Sequence, residues 1–220
     1  MVKSILTPRQ KLVLDILSAP DTPLKEFYFT GGTALCEFYI PYRLSEDLDF
    51  FSETEFDSQT LFVYLASLKD TLKYRKLDFN TSFNRNIFQM IFPDSILKVE
   101  FTYFPFPRIA KGRVYGSLSV DSPVDIAVNK LFTIYQKPRA RDYLDLYMLN
   151  KKFGYRVSDL VKKAKVKFDW HVDPIKLGTQ FLLADQVKDY PILTKKIPDH
   201  TWHHYFFQEA KRLKSDIFTS

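Results

Sequence analysis

Cysteine is almost missing from this chain, with a single one, Cys36, in 220 residues. A lone thiol cannot close an internal disulfide, so a fold stapled by cross-links is excluded and the cytoplasm is the expected compartment. Long apolar runs are missing too. No stretch approaches the roughly 18 residues that cross a bilayer, so no membrane anchor is expected. The opening MVKSILTPRQ lacks the apolar core of a signal peptide. Internal repeats and low-complexity tracts are absent, and glycine is scarce, with two of the six standing side by side at Gly31 and Gly32. What the chain does have is rings: 21 Phe and 13 Tyr in a composition 45% hydrophobic. That suffices for one large domain or two small ones, with cores in which large aromatic side chains pack strands against helices.

The net charge of +6 is unevenly spread. Residues 1–60 hold ten Asp and Glu against five Lys and Arg, which leaves +11 for the remainder. An acidic region beside a basic body suits an enzyme that holds a metal with carboxylates and a polyanion with cations. Lys-rich helices that merely keep a protein soluble give the same balance.

Thr7 and Pro8 stand where an N-cap and first helical residue belong, ahead of Leu12, Ile16 and Leu17 at near-helical spacing. Glu26–Thr30 reads as a short buried strand that stops at Gly31-Gly32, and TALCEFY then has helical composition from a Thr33 cap, packing Cys36 as a small side chain. Pro41 closes that helix, and Asp47–Phe51 reads as the next strand. An amphipathic helix is expected over Ser58–Leu72, then three strands in KYRKLDF, RNIFQMIF and ILKVEFTYF. From Asp121, read as a cap, the pattern turns helical through DSPVDIAVNKLFTIYQ and ARDYLDLYML, with further short helices around breaks at Gly154 and Gly178. The expected division is therefore residues 1–115 and 116–220, with the boundary in KGRVYGS.

On a strand, Asp47 and Asp49 project to one side while Leu48 and Phe50 enter the core. Two carboxylates that meet at one point suit a hard cation such as Mg²⁺ or Mn²⁺; an Asp-x-Asp on an exposed edge is equally a solvated face. Gly31 and Gly32, between a strand and a helix, can offer bare N–H groups and a helix dipole to a phosphate, with the Thr33 hydroxyl beside them. A tight turn that needs positive φ also uses glycine, though one would do. This is neither a P-loop nor a dinucleotide-binding Gly-x-Gly-x-x-Gly. Arg43 and Ser45, just ahead of the acidic strand, can fix the same loop or a phosphate, or Arg43 can form a surface ion pair. Residues 151–167 carry seven Lys and Arg against Asp159 alone, as a nucleic-acid surface or an ordinary soluble helix would. His200, His203 and His204 lack the cysteine and acidic partners of a usual zinc site.

In this order, Gly31-Gly32-Thr33-Ala34-Leu35, then Arg43, Ser45, Asp47-Leu48-Asp49, then Lys130 and Arg141-Asp142-Tyr143-Leu144-Asp145-Leu146-Tyr147, the chain resembles the AbiEii/AbiGii toxin nucleotidyltransferases. These belong to the polymerase-β-like nucleotidyltransferase superfamily. The motifs cover Gly31 to Tyr147, and residues 148–220 add no diagnostic pattern. The resemblance implies an α+β fold: an N-terminal nucleotidyltransferase domain with a mixed sheet and helices, and a helical C-terminal half that completes the nucleotide site. It also implies that Gly31, Gly32 and Thr33 hold the triphosphate with help from Arg43, Ser45 and Arg141. Asp47 and Asp49 become metal-binding carboxylates. Lys130 becomes the nucleotide-contacting lysine and Asp145 the essential acid of the closing motif. A third metal carboxylate commonly comes from a neighbouring strand, where Glu100 is the candidate, an exposed strand glutamate being the other reading. Asp142 and Asp145, at i and i+3, share a helical face and can orient Lys130 or Arg141. Lys137 departs from the arginine often found there, with Arg139 close by to substitute. The chain is short for the family, which argues against a separate substrate-recognition appendage.

The expected activity is Mg²⁺-dependent transfer of NMP from an NTP to an acceptor hydroxyl, with release of pyrophosphate. By resemblance the acceptor is RNA, at the 3′ end of tRNA, the outcome is blocked translation and a cognate antitoxin is the partner. Transfer onto a protein hydroxyl and non-catalytic nucleotide binding are the alternatives.

Overall fold

The computed structural model describes residues 4–218, with side chains through Leu213. The chain forms two compact units, Met1–Pro107 with Lys111–Asp121, and Arg108–Ala110 with Ser122–Ser220. The division thus falls after Asp121 rather than near 115. KGRVYGS is no linker; it runs into a hairpin of the first unit, where Gly116 takes φ +60° at the turn.

In the first unit the strands are β1 (Phe27–Thr30), β2 (Leu48–Ser52), β3 (Lys76–Ser82), β4 (Arg85–Ile91), β5 (Ile96–Tyr103), β6 (Val114–Tyr115) and β7 (Leu118–Val120). They form one mixed sheet in the order β3-β4-β5-β2-β1-β7-β6. Strand β2 runs antiparallel to β1 and parallel to β5, and β7 pairs parallel with β1. Register then lines up two rows across the centre. Phe50 lies between Phe29 and Phe101, all three fully buried, with ring centroids 5.2 and 5.1 Å from its own. One residue on, and so on the opposite face, Thr30, Asp49 and Glu100 form a polar row. The pleat alone therefore assigns the carboxylates to the face that the phenylalanines do not use.

Helix α1 (Pro8–Leu17) begins with the expected Thr7 cap, and Gln10 closes a capping box by returning its Oε1 to the Thr7 N–H. Helix α2 (Gly31–Phe38) starts two residues before the expected Thr33 cap, directly at the end of β1. Thr33 is spent elsewhere, as described below. The segment Ser58–Leu72 is two helices, α3 (Ser58–Ser67) and α4 (Lys69–Leu72), broken at Leu68.

The second unit is helical: α5 (Pro123–Gln136), α6 (Ala140–Phe153), α7 (Val157–Phe168), α8 (Pro174–Leu182) and α9 (Asp199–Phe218), with one 3₁₀ turn at Leu183–Asp185. Ser122, not Asp121, caps α5, with Pro123 in its first turn. Asp121 is turned instead to Thr30, whose hydroxyl donates to its carboxylate at 2.7 Å. Gly154 ends α6 at φ +71°, whereas Gly178 lies inside α8, and α9 is 20 residues long rather than short. Tyr143, Phe181, Trp202 and Phe206 are buried together at the core of this unit. Among the described residues no helix is long and apolar enough to cross a membrane.

Candidate active site

The glycine pair and the acidic strand are built against each other. Gly31 takes φ +77°, where a side chain is strained, and a Cβ built on it would overlap Asp49 Oδ2 and stand 3.2 Å from Asp49 Cβ and Cγ. A Cβ on Gly32 would overlap Arg43 Nη2 and stand 3.2 Å from Ser45 Oγ. Gly31 is therefore favoured by its backbone and by Asp49, and Gly32 gives room to Arg43 and Ser45. This answers the alternative that one glycine would serve a simple turn.

Three side chains fasten the loop that delivers the acidic strand. Thr33 Oγ1 donates to the Asp47 carbonyl. Gln10 Nε2 donates to the carbonyls of Ser45 at 2.8 Å and Glu46 at 3.1 Å, and Arg43 Nη1 donates to the Leu44 carbonyl at 2.9 Å. Arg43 is only 2% exposed, so it is no surface ion pair. Each bond satisfies a carbonyl that a loop would otherwise leave to water, which fixes where β2 begins.

Strand β2 then presents Asp47, just before its first residue, and Asp49 on the face away from the buried Leu48 and Phe50. Glu100 stands in register with Asp49 on β5 and is 4% exposed, which removes the reading of an exposed strand glutamate. Two cations share this face. Arg85 of β4 clasps Glu100 bidentately, Nε to Oε1 at 2.6 Å and Nη2 to Oε2 at 2.7 Å. Lys98 Nζ lies 2.7 Å from Asp47 Oδ2 and 3.7 Å from Glu100 Oε2. Burial pushes the Glu100 carboxyl up, but the Arg85 hydrogen bonds and charge, then Lys98 and the Thr102 hydroxyl, hold it below the usual carboxylate range. The Arg85 guanidinium is raised, first by its hydrogen bond to Glu100, against burial, and then by the charges of Glu100, Asp49 and Asp47. All three carboxylates thus act on one guanidinium.

Among the described residues no three His, Cys, Asp or Glu side chains are gathered so that they could hold a metal ion. The partners explain this, because Glu100 is turned to Arg85 and Asp47 to Lys98. Asp47 and Asp49 nonetheless fit a divalent cation chemically: they are hard oxygen donors, two residues apart on one strand face, and the Asp47 side chain is 25% exposed. Glu100 fits as a third donor only as Arg85 yields it.

In the second unit, Lys130 of α5 places Nζ 2.8 Å from Asp142 Oδ1 and 2.7 Å from Asp145 Oδ2, both on α6. Arg139 Nε donates to Asp142 Oδ2 at 2.9 Å. The shared face of Asp142 and Asp145 is therefore directed at Lys130, and the formal charges of these four side chains cancel. Burial pushes Asp142 up, but Lys130 and Arg139 hold it below the ordinary range. Arg141 is half-buried on the same helix. Sequence reasoning missed a second buried pair, Lys167 with Asp125 at 2.8 Å, both fully buried. It also missed Gln10, Arg85 and Lys98. The last two follow from alternation along β4 and β5 once the register of the strands is known; a run of seven Lys and Arg gave no sign that Lys167 is internal.

A mixed sheet that carries carboxylates beside a strand–Gly-Gly–helix turn, followed by a helical half, is a nucleotidyltransferase-like α+β fold. JHP933 from Helicobacter pylori is similar over 96% of this chain and 91% of its own, with TM-score 0.61 and 20% identity. MenT4, a nucleotidyltransferase toxin from Mycobacterium tuberculosis H37Rv, is similar over 92% of this chain and 82% of its own, with TM-score 0.56 and 18% identity. An uncharacterised protein of Aquifex aeolicus (strain VF5) is 30% identical over 148 residues, 65% of this chain and 66% of that protein. The model of the nucleotidyl transferase AbiEii toxin family, Type IV TA system, matches residues 15–213. The chain belongs to that family of nucleotidyltransferase enzymes.

Proposed function

We propose that the chain transfers an NMP unit from an NTP to a hydroxyl on RNA, releases pyrophosphate, and acts as the toxin of a toxin–antitoxin pair. The single observation that carries this reading is the fit of Gly31 and Gly32 around Asp49, Arg43 and Ser45, which sets the turn proposed to bind the anion against the strand proposed to bind the metal. In this reading the N–H groups at the start of α2 and the Arg43 guanidinium receive the triphosphate. Asp47 and Asp49 hold divalent metal, Mg²⁺ or Mn²⁺, with Glu100 as the third carboxylate. When bound, the metal lowers the pKa of the acceptor hydroxyl and neutralises the leaving pyrophosphate. The residues themselves supply position and charge, which is most of what phosphoryl-type chemistry requires. Thr33 and Gln10 act on the backbone and keep Asp47 and Asp49 in place. Lys130 and Asp145 enter the proposal as the family resemblance has them, a nucleotide-contacting lysine and an essential acid. An RNA acceptor, in particular the 3′ end of tRNA, rests on that resemblance together with the +11 carried by residues 61–220.

The test supplies Mg²⁺, each NTP labelled at the α-phosphate, total RNA and a protein extract to wild type and to Asp49→Ala. Label in small RNA with wild type, lost in the variant, is the expected result. Label on protein replaces the acceptor, and equal labelling by both proteins removes Asp49 from the mechanism.

A further inference from the structure

The carboxylate face of the sheet is already supplied with positive charge from within the chain. Asp47, Asp49 and Glu100 bring three negative charges, while Lys98 and Arg85 bring two positive ones into contact with Asp47 and Glu100. Asp49, Arg85, Lys98 and Glu100 come from β2, β4 and β5, whose pairing is continuous, and Asp47 stands just before β2. Lys98 is the better placed of the two cations to move. Its stem rises from β5 two residues before Glu100 and meets Asp47 with one ammonium, whereas Arg85, although its side chain is 50% exposed, is held by two hydrogen bonds to one carboxylate. A divalent ion that approaches Asp47 must compete with an ammonium 2.7 Å from Oδ2. A triphosphate at the glycine turn, which abuts Asp49 two residues beyond Asp47, changes that competition, because it offers the ammonium another set of anionic oxygens.

We propose that Lys98 is an exchangeable counter-ion that couples metal binding to triphosphate binding: it neutralises Asp47 while the nucleotide is away and transfers to the phosphates when the nucleotide arrives. This rests on the nucleotidyltransferase reading of the site. Lys98 is a positioning residue in this scheme, since it acts by releasing a carboxylate to the metal. Uncoupled metal uptake is thereby suppressed, and the full site assembles only with its substrate.

The test is Mn²⁺ binding followed by electron paramagnetic resonance, with and without a non-hydrolysable NTP analogue, on wild type, Lys98→Met and Lys98→Arg. The partly exposed position of Lys98 makes both variants compatible with folding, which circular dichroism checks. In wild type, Mn²⁺ binds weakly alone and tightens with the analogue. Removing the ammonium is expected to tighten Mn²⁺ binding without nucleotide by about tenfold. The same variant weakens binding of the analogue, so the ratio of the two metal affinities falls. Lys98→Arg retains the wild-type ratio to within a few-fold. A merely structural lysine would weaken metal binding or leave the ratio unchanged, and either result overturns the coupling while leaving the transferase reading intact. If wild type binds no Mn²⁺ even with the analogue, the site itself is misassigned and both readings fall.

Discussion

Replacing Gly31 with alanine tests the junction of turn and strand with a quantity that requires no activity. Two separate costs are expected. A side chain at φ +77° carries the left-handed penalty, about 1–2 kcal/mol. The new methyl must also displace Asp49, whose Oδ2 it would overlap and whose Cγ lies 3.2 Å away, and overpacking of this kind costs about 1–3 kcal/mol. Gly31→Ala is therefore expected to lose about 2–5 kcal/mol of stability in the first unit. The two costs separate in an Asp49→Ala background, where the overlapping oxygen and carboxyl carbon are gone and only the backbone term and a tight Cβ contact remain. A double-mutant cycle should then return a coupling of about 1–2 kcal/mol, with the double variant more stable than the two single losses summed. Urea unfolding of the four proteins measures it. Both tryptophans, Trp170 and Trp202, belong to the second unit, so the sheet is followed by far-UV circular dichroism rather than by tryptophan fluorescence. Strict additivity, or a Gly31→Ala protein as stable as wild type, refutes the contact.

Three further outcomes are expected. Gln10→Ala breaks the capping box and strands the carbonyls of Ser45 and Glu46, so it should cost about 2 kcal/mol in urea unfolding although Gln10 touches no proposed substrate group. Phe83 holds φ +52° at the β3–β4 turn with its ring wholly exposed, so Phe83→Gly should raise stability by about 0.5–1 kcal/mol, and a loss would show that the ring packs. Asp125 and Asp142 are held below their ordinary value of 3.8, so their contribution is complete above that pH and is lost as pH falls through their folded values. The second unit should thus lose urea resistance progressively below about pH 4, and a flat profile down to about pH 2 would contradict these ion pairs.

Local chemistry made the N-terminal half readable. Thr7-Pro8, the Gly-Gly break and strict alternation in Asp47–Phe50 each express a rule that acts within a few residues, and each of those elements forms within a residue or two of its expected bounds. Errors arose where a partner distant in sequence decides. Thr33 lies inside α2 and is drawn to the Asp47 carbonyl, and Asp121 is drawn to Thr30, so neither serves as a helix cap. The hairpin of β6 and β7 is too short to announce itself and exists because β1 offers it an edge. In the site, the residue types of Asp47, Asp49 and the glycines were visible in order. The Arg85 and Lys98 counter-ions were hidden, since nothing in RNIFQM or ILKVEF reveals which strand will lie beside which.

The most direct measurement of the central claim is metal-dependent pyrophosphate release from NTP in the presence of RNA, compared among wild type, Asp47→Asn and Asp49→Asn. Both substitutions preserve side-chain shape and remove one negative charge. Release by wild type is expected only with Mg²⁺ or Mn²⁺, reduced by at least about a hundredfold in each variant, as when a charged group at the reacting phosphates is lost. Release that persists in either variant, or that proceeds after chelation of the metal, would contradict the claim.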